Sequence, residues 1–434
     1  MFEWNPVFNF VMEVKHKYEE LFGEVEYKEY DYQNKKITCL EYWIEKIGNP
    51  DYLNKIQFLE INQKDEFVLL RYARYSNVMS GESVDLTLSE LWKLYDGFYL
   101  ECRSIVIDMK NEEIALCPFK KFRNLNECEE NMVDVIKEKI KTAHCVEISN
   151  KIDGSMQSAR FYKGNILMAG SQAIDKNLSW RLDDGYKMLT SNENYVKLLK
   201  AFSDYTIIFE YVSLEDAHVV KYTKEQEGLY LIGMRNVYDG TQLDYRTLVK
   251  IATQYGVKCT EVYNKTLDEV LKDCETIKSE NQEGFVLNID GYLVKIKGDD
   301  YVQIHKILSK VSSINLIIRA IADGTVDDLV SKIPLAYRNR VKVIYKICND
   351  YIKNQENIVE KYYKSAPKDN KKTFMSYVND NVLKKYQSYV RNRYLGIENN
   401  FLKKGCNTKN PKYVKLVDMG INKEDYKNIF MEEN

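Results

Sequence analysis

EISNKIDGSMQSARF, residues 147–161, sets one lysine, Lys151, two residues before an Asp-Gly-Ser turn. An apolar run (Cys145, Val146, Ile148) leads in, and a Met156/Ser158/Arg160 alternation leads out, so the lysine stands at the lip of a turn between two strands. The ordinary reading of such a position is a solvated surface lysine beside a hairpin. The sharper one is a covalent nucleophile. K-x-D-G alone decides little, because on the order of one chain in ten of this length carries it by chance at average residue usage. The rest of the chain has to decide.

With 434 residues the chain is long enough for two or three domains, and 44% hydrophobic residues with 29% charged ones are ordinary for a soluble globular protein. Glycine (19) and proline (6) are scarce, which argues against long disordered linkers. No apolar stretch reaches the roughly 18 residues of a membrane span, and the first twenty residues lack a signal peptide's basic region and cleavage site. Nine cysteines without a C-x-x-C read as free, mostly buried thiols in a reducing cytoplasm. The four histidines (His16, His144, His218, His305) are scattered, with no zinc-ligand spacing.

The net charge of −2 hides an asymmetry. Residues 301–434 carry 25 Lys+Arg against 14 Asp+Glu, a net +11, which leaves −13 for residues 1–300. A basic tail can hold a polyanion that an acidic body cannot hold unaided.

Residues 99–300 read largely as antiparallel strands joined by tight turns. Four hairpins are expected, at 99–119, 155–170, 228–243 and 283–298, the last two turning on Asp-Gly. Helices are expected between them: TLVKIATQYG (247–256) ends on a glycine, and the segment after Thr266 has Glu269 at capping-box spacing. Strands and helices mixed without regular βαβ alternation give an α+β fold with antiparallel sheets. After about residue 300 the pattern turns helical. Ile344, Ile347, Tyr351, Ile358 and Tyr362 form one stripe, with Lys346, Lys353 and Lys361 opposite, an arrangement that ordinarily faces a core.

Further polar groups sit in strand patterns downstream of Lys151. Glu210 follows three bulky residues in YTIIFEYVS, Glu283 opens the last hairpin, and Lys295 and Lys297 close it. Two apart on one strand, these lysines project to one face and repel unless an anion lies beside them. A solvated outer face is the ordinary alternative for that pair alone.

Together these pieces resemble the covalent nucleotidyltransferase superfamily of ligases and capping enzymes, with Lys151-Ile-Asp153-Gly154, Phe209-Glu210, Glu283-Gly284-Phe285-Val286 and Lys295-Ile-Lys297 in order. Finer features resemble its RNA ligase 1 family, typified by T-even bacteriophages. These are ECRSIVID around Arg103, PFKKFRNLNE (118–127), the Tyr-rich RYARYSNV (71–78), the run from Lys297 through Tyr301 to His305-Lys, and GTVDDL (324–329). The resemblance covers about residues 70–330. It departs at Ser104, where a glycine is usual, and at Ala169, where a lysine before Gly-Ser is usual. Residues 330–434 match in character only.

The resemblance implies a nucleotidyltransferase domain of ATP-grasp-like antiparallel sheets and helices over residues 1–300, with 1–70 an unassigned extension. A basic all-helical domain for RNA recognition follows over 301–434, in place of an oligonucleotide-binding barrel. It implies an ATP-dependent RNA ligase that joins 3′-hydroxyl and 5′-phosphate ends through lysyl-AMP, using Mg (or Mn), in RNA and tRNA repair. The setting is the cytoplasm of a bacterial or phage-infected cell, with no membrane and no obligate protein partner. Lys151 is then the nucleophile, and its ammonium, of ordinary pKa about 10.4, needs nearby cations and desolvation to become neutral. Lys295 and Lys297 grip the α-phosphate, and Arg103 and Lys121 the leaving pyrophosphate. Glu210 accepts from the ribose, while Val286 and Tyr72 surround the adenosine. Glu283 holds metal, as do Asp327 and Asp328, although an Asp pair is also an ordinary helix cap. Asp153, with Gly154, shapes the turn, and Tyr301 matches a tyrosine needed for activity. A catalytically silent RNA-binding or nucleotide-sensing relative is the alternative. For the basic tail, tyrosines interleaved with lysines over 361–396 suggest bases of a nicked tRNA loop stacking on aromatic faces. In the competing reading the tyrosines are core and the lysines a solvated face.

Overall fold

The structure, a computed structural model, describes residues 2–72, 93–216, 218–302, 314–326, 335–404 and 412–421, with side chains left aside at 335–340. The chain divides into two compact units, Met1–Tyr301 and Val302–Asn434.

The first unit opens with helices Pro6–Phe22, Cys39–Ile47 and Pro50–Ile56. Asn5 starts the first of them by accepting from the amides of Val7 and Phe8, ahead of a proline at the first helical position. Thr38 and Glu41 close a reciprocal capping box on the second. A small ladder of β1 (Tyr30–Tyr32) and β2 (Lys35–Ile37) lies between these two helices in the chain. The extension left unassigned by its sequence is thus a packed layer. Val11, Val14, Trp43 and Ile44 bury against Val68, Leu70, Ile105 and Ile107 of the first sheet.

That sheet contains β3 (Leu59–Lys64), β4 (Phe67–Tyr72), β5 (Arg103–Asp108) and β6 (Glu113–Leu116), in that order and antiparallel. Alternation along the strands gives it a second apolar face: Leu69, Val106 and Leu116 pack on Tyr162, Ala169 and Ile174. Ala169 is fully buried there, which removes position 169 from any phosphate contact.

The strands that follow are β7 (Arg123–Asn124), β8 (Val146–Asn150), β9 (Ser155–Tyr162) and β10 (Asn165–Gly170). Then come β11 (Tyr205–Val212), β12 (Gly228–Asn236), β13 (Val262–Tyr263), β14 (Gly284–Ile289) and β15 (Tyr292–Lys297). They make two sheets, ordered β10-β9-β11-β12 and β13-β8-β14-β15-β7. Helices Trp180–Ser191, Glu193–Ala201 and Tyr245–Tyr255 cover the first of these through Leu189, Leu198 and Ile251. Helices Val133–Thr142 and Leu267–Thr276 cover the second through Ile136 and Val270. Gly256 ends the Tyr245–Tyr255 helix at φ 63, and Thr266 and Glu269 cap the Leu267–Thr276 helix, both as the sequence predicts. The expected hairpins form at β5/β6, β9/β10 and β14/β15. The one expected at 228–243 does not: β12 pairs with β11, and only an isolated Arg235–Gln242 bridge closes the Asp-Gly turn.

In the second unit, helices Leu335–Ser365, Lys371–Asn381 and Lys384–Leu395 enclose a core of Val359, Phe374, Val378, Tyr386 and Val390. One short ladder, β16 (Lys403–Lys404) with β17 (Lys412–Tyr413), departs from an all-helical reading. Tyr362, Tyr363, Tyr377, Tyr386, Tyr389 and Tyr394 all belong to or pack against that core. Tyr386 is buried and the other five are half-buried against the core, while Lys346, Lys353, Lys361, Lys364 and Lys368 are exposed. No helix among the described residues is long and apolar enough to cross a membrane.

Candidate active site

Lys151 is placed by a change of sheet. β8 belongs to one sheet and β9 to the other, so residues 151–154 cross between them instead of turning a hairpin. The Lys151 amide donates to Gly284 O at 2.9 Å, fixing the start of the crossing on β14. Gly154 ends it: a Cβ there would come 2.5 Å from Tyr211 O and 2.8 Å from Glu210 Cγ. Gly284, at φ +147, is needed for a like reason, with Ile296 O 2.2 Å from where a Cβ would lie.

Asp153 anchors the crossing. Its Oδ2 accepts from the amides of Val219 and Val220 at 2.9 and 3.1 Å, and its Oδ1 accepts from the Tyr301 hydroxyl at 3.0 Å. Its own amide donates to Tyr222 Oη at 2.9 Å. Tyr301 is buried and Tyr222 half-buried, and desolvation with the neighbouring carboxylates pushes both phenols well above the ordinary range, so they stay protonated.

Around this crossing lies a cavity of about 230 Å³ whose walls include Arg103, Lys151, Gly154, Glu210, Val286 and Lys295. The ladder β8-β14-β15 sets Val286 beside Ser149 on one side and Lys295 on the other. Glu210 follows a register shift between Ile208 and Phe209 and pairs with Met156 of β9. Glu283 lies between two lysines: its Oε2 is 2.5 Å from Lys151 Nζ and its Oε1 is 2.8 Å from Lys297 Nζ. This carboxylate answers Lys297 but not Lys295. Lys295 instead lies 4.5 Å over the Phe122 ring, which Arg103 also approaches at 4.8 Å.

The electrostatics differ from expectation in one respect. Burial alone would lower the Lys151 pKa, but Glu283 and Glu210 outweigh it and raise the amine above its ordinary value. The cationic field falls on Lys295, which burial and then Arg103, Lys121, Lys151 and Lys297 push well below the lysine range. Burial pushes the Glu283 carboxyl up, yet Lys151 and Lys297 hold it below its ordinary value. Glu210 is driven up to about 7 by burial and the Glu283 and Asp153 charges, against the pull of Lys151 and Arg103.

With this geometry stands a match to known proteins: residues 101–303 fit the model of the RNA ligase family. Solved structures similar to the chain include a Naegleria gruberi RNA ligase mutant with AMP and Mn, at 15% identity and TM-score 0.35, aligning 43% of this chain with 57% of that one. A second Naegleria gruberi mutant, with ATP and Mn, aligns 43% of this chain with 58% of that one at 15% identity and TM-score 0.35. An archaeal ATP-dependent RNA ligase aligns 71% with 82% at 13% identity and TM-score 0.44. The chain therefore spans less than two thirds of the length of those two Naegleria chains.

Within the RNA ligase segment, the structure gathers Arg103, Lys151, Asp153, Gly154, Glu210, Glu283, Val286, Lys295, Lys297 and Tyr301 around one crossing. Lys121 and Tyr72 form a separate pair, with Lys121 Nζ 3.1 Å from the Tyr72 hydroxyl, so Tyr72 lies with a phosphate-type cation instead of on the cavity wall. Asp327 and Asp328, His305, and residues 73–78 of the Tyr-rich strand lie outside the described residues. Sequence reasoning missed Phe122, Ile232, Tyr245 and Thr260 as wall residues. Phe122 stood inside the PFKKFRNLNE segment, and Ile232 is the residue of β12 that the register shift against β11 leaves unpaired, but neither carries a chemical signal.

Glu283 is the kind of hard oxygen donor that a divalent cation of the Mg class takes, one or two carboxylates together with substrate phosphates being its usual shell. Among the described residues no three His, Cys, Asp or Glu side chains converge as a protein-only metal cage. The donor set therefore fits a cation that arrives with a nucleotide.

Proposed function

We propose that this protein is an ATP-dependent RNA ligase that works through AMP carried on Lys151. The observation that carries the reading is the Lys151 amine on the wall of a cavity shared with Arg103, Glu210 and Lys295, inside the segment that matches the RNA ligase family. Lys151 Nζ attacks the α-phosphorus of ATP: the P–N bond forms, the bond to the bridging oxygen breaks, and pyrophosphate leaves with the electron pair. An RNA 5′-phosphate oxygen then takes the adenylyl group and frees the lysine. Last, a 3′-hydroxyl oxygen attacks the RNA 5′-phosphorus and AMP departs.

The residue roles in this proposal are those that the family resemblance implies. Lys295 and Lys297 stabilise charge on the α-phosphate, and Arg103 and Lys121 hold the leaving pyrophosphate, as positioning and charge neutralisation demand for phosphoryl-type transfer. Glu210 accepts from the ribose, and Val286 lines the adenosine. Asp153 and Tyr301 hold the crossing that presents Lys151. Mg held by Glu283 and the nucleotide phosphates supplies charge neutralisation. In the free protein the Lys151 ammonium donates to Glu283 Oε2, with Nζ and Oε2 2.5 Å apart, so charge must leave Glu283 before the amine can lose its proton.

The substrates are RNA 3′-hydroxyl and 5′-phosphate ends, with a nicked tRNA as the structured target. The support for tRNA is the net +11 charge of residues 301–434, with Lys346, Lys353, Lys361, Lys364 and Lys368 exposed beside half-buried tyrosines. Incubation with α-labelled ATP and Mg²⁺ followed by a denaturing gel tests the reading. A labelled band that chases onto 5′-phosphorylated RNA is expected, and no covalent label would overturn it.

A further inference from the structure

Phe122 lines a second cavity as well, of about 310 Å³. Its cations are Lys93, Lys120, Lys121 and Arg123, and its one acidic group is Glu130. Lys93 is answered by Glu130 at 2.9 Å and Lys120 by Glu101 at 3.1 Å. Among the described residues Arg123 makes no ion pair and no side-chain hydrogen bond. The apolar part of the wall includes Tyr292, which is 40% exposed and carries Lys139 Nζ 3.8 Å over its ring.

An unanswered guanidinium presents a planar fork of donors that matches a phosphate. The cavity is too large and too apolar for inorganic phosphate alone and is of the size that takes a nucleotide. A cationic rim with an exposed aromatic is the common design of single-stranded nucleic-acid sites. Its position selects the strand. Arg123 lies on β7, whose parallel ladder pairs Val294 with Arg123 and Lys295 with Asn124, one residue from the α-phosphate lysine. Phe122 and Lys121 join this cavity to the nucleotide site and its phosphate cations.

We propose that this cavity binds the 5′-terminal nucleotides of the phosphorylated RNA strand, with Arg123 gripping a backbone phosphate beside Tyr292. The proposal rests on the ligase reading above for the identity of the strand.

The test is binding of a 3′-labelled, 5′-phosphorylated decauridylate, followed by fluorescence anisotropy across a salt series. Arg123→Ala is expected to weaken binding about tenfold and to lower the log–log salt slope by about one, while Arg123→Lys keeps most of the slope. Self-adenylylation by ATP should stay within twofold of wild type, which also shows that the variant folds. A 4-thiouridine at the 5′ terminus should crosslink to peptides containing residues 120–131 or 291–293. Unchanged affinity and slope in Arg123→Ala, or a crosslink confined to other peptides, overturns the proposal. Wild-type protein that fails to adenylylate itself sinks the ligase reading instead, and the binding and crosslinking results still decide this one.

Discussion

Lys151 Nζ and Glu283 Oε2 are 2.5 Å apart, and the other oxygen of the same carboxylate holds Lys297. The free protein therefore holds Lys151, the proposed nucleophile, as an ammonium balanced inside a three-group cluster. Activation is a matter of moving charge off Glu283, not of a pre-lowered lysine pKa. A buried carboxylate that loses one of two partners keeps the other, so removal of Lys151 is survivable.

Lys151→Ala should abolish covalent AMP labelling while the protein stays folded. Breaking a buried pair outright costs about 3–5 kcal/mol, and retention of Lys297 should hold the loss to the lower end of that range or below. Intact-mass spectrometry after ATP treatment, with a thermal melt alongside, checks both parts. AMP found on another residue, or undiminished labelling of the variant, would falsify the assignment.

Lys297→Ala should lose at least about a hundredfold in single-turnover adenylylation, whereas Lys163→Ala stays within about twofold, if loss of an electrostatic interaction with the transferring group costs about 3 kcal/mol. Both lysines sit on β-hairpins. Lys163, however, is 42% exposed at a turn tip, with Asp108 and Glu113 no nearer than 3.9 and 3.7 Å. Surface pairs of that kind contribute about 0–1 kcal/mol. Equal losses in the two variants would mean that Lys297 does not touch the phosphate.

The crossing was legible because its chemistry is local: K-x-D-G, the paired lysines of β15 and Glu283 are short patterns in strands whose alternation fixes their faces. What the sequence could not show was which carboxylate answers which lysine, since Lys151 and Glu283 are 132 residues apart and meet only through the β8-β14 ladder. Ser104 shows the limit from the other side. The sequence marks it as a serine where glycine is usual, and the structure gives it φ 68, the backbone that favours glycine. Its hydroxyl donates to Ser171 O at 2.8 Å, a compensating hydrogen bond that no local pattern announces. The N-terminal helices carried caps and apolar stripes readable as helices, but their partner strands, β4 and β5, are fixed only by tertiary packing.

Glu210→Gln should flatten the pH dependence of stability between about 4.5 and 7. The native carboxyl is raised from 4.5 to about 7, chiefly by burial, so the folded state holds its proton more tightly than the unfolded chain. That contribution is fully present below about 4.5 and is lost as pH rises through about 7. Glu283 works with the opposite sign: its pKa is held down, and its contribution is lost as pH falls below the ordinary carboxylate range. Thermal melts from pH 4 to 8 check the difference. A Glu210→Gln profile parallel to wild type would show that Glu210 ionises like an exposed acid.

Lys361→Glu, Lys364→Glu and Lys368→Glu together should weaken binding of a nicked tRNA without slowing self-adenylylation. All three lysines are exposed, and residues 301–434 carry a net +11, so the surface available to a polyanion is cationic. These lysines act on the polyanion through phosphate attraction, which is steeply salt-dependent. Removing three phosphate-neutralising cations should lower the log–log salt slope by about three. Base identity in the loop should matter little, because phosphate recognition carries no sequence information. Competition between nicked tRNA and an unstructured oligonucleotide of equal length measures the preference. An unchanged preference and slope in the triple variant would remove the second unit from tRNA recognition and leave its lysines as a solvated face.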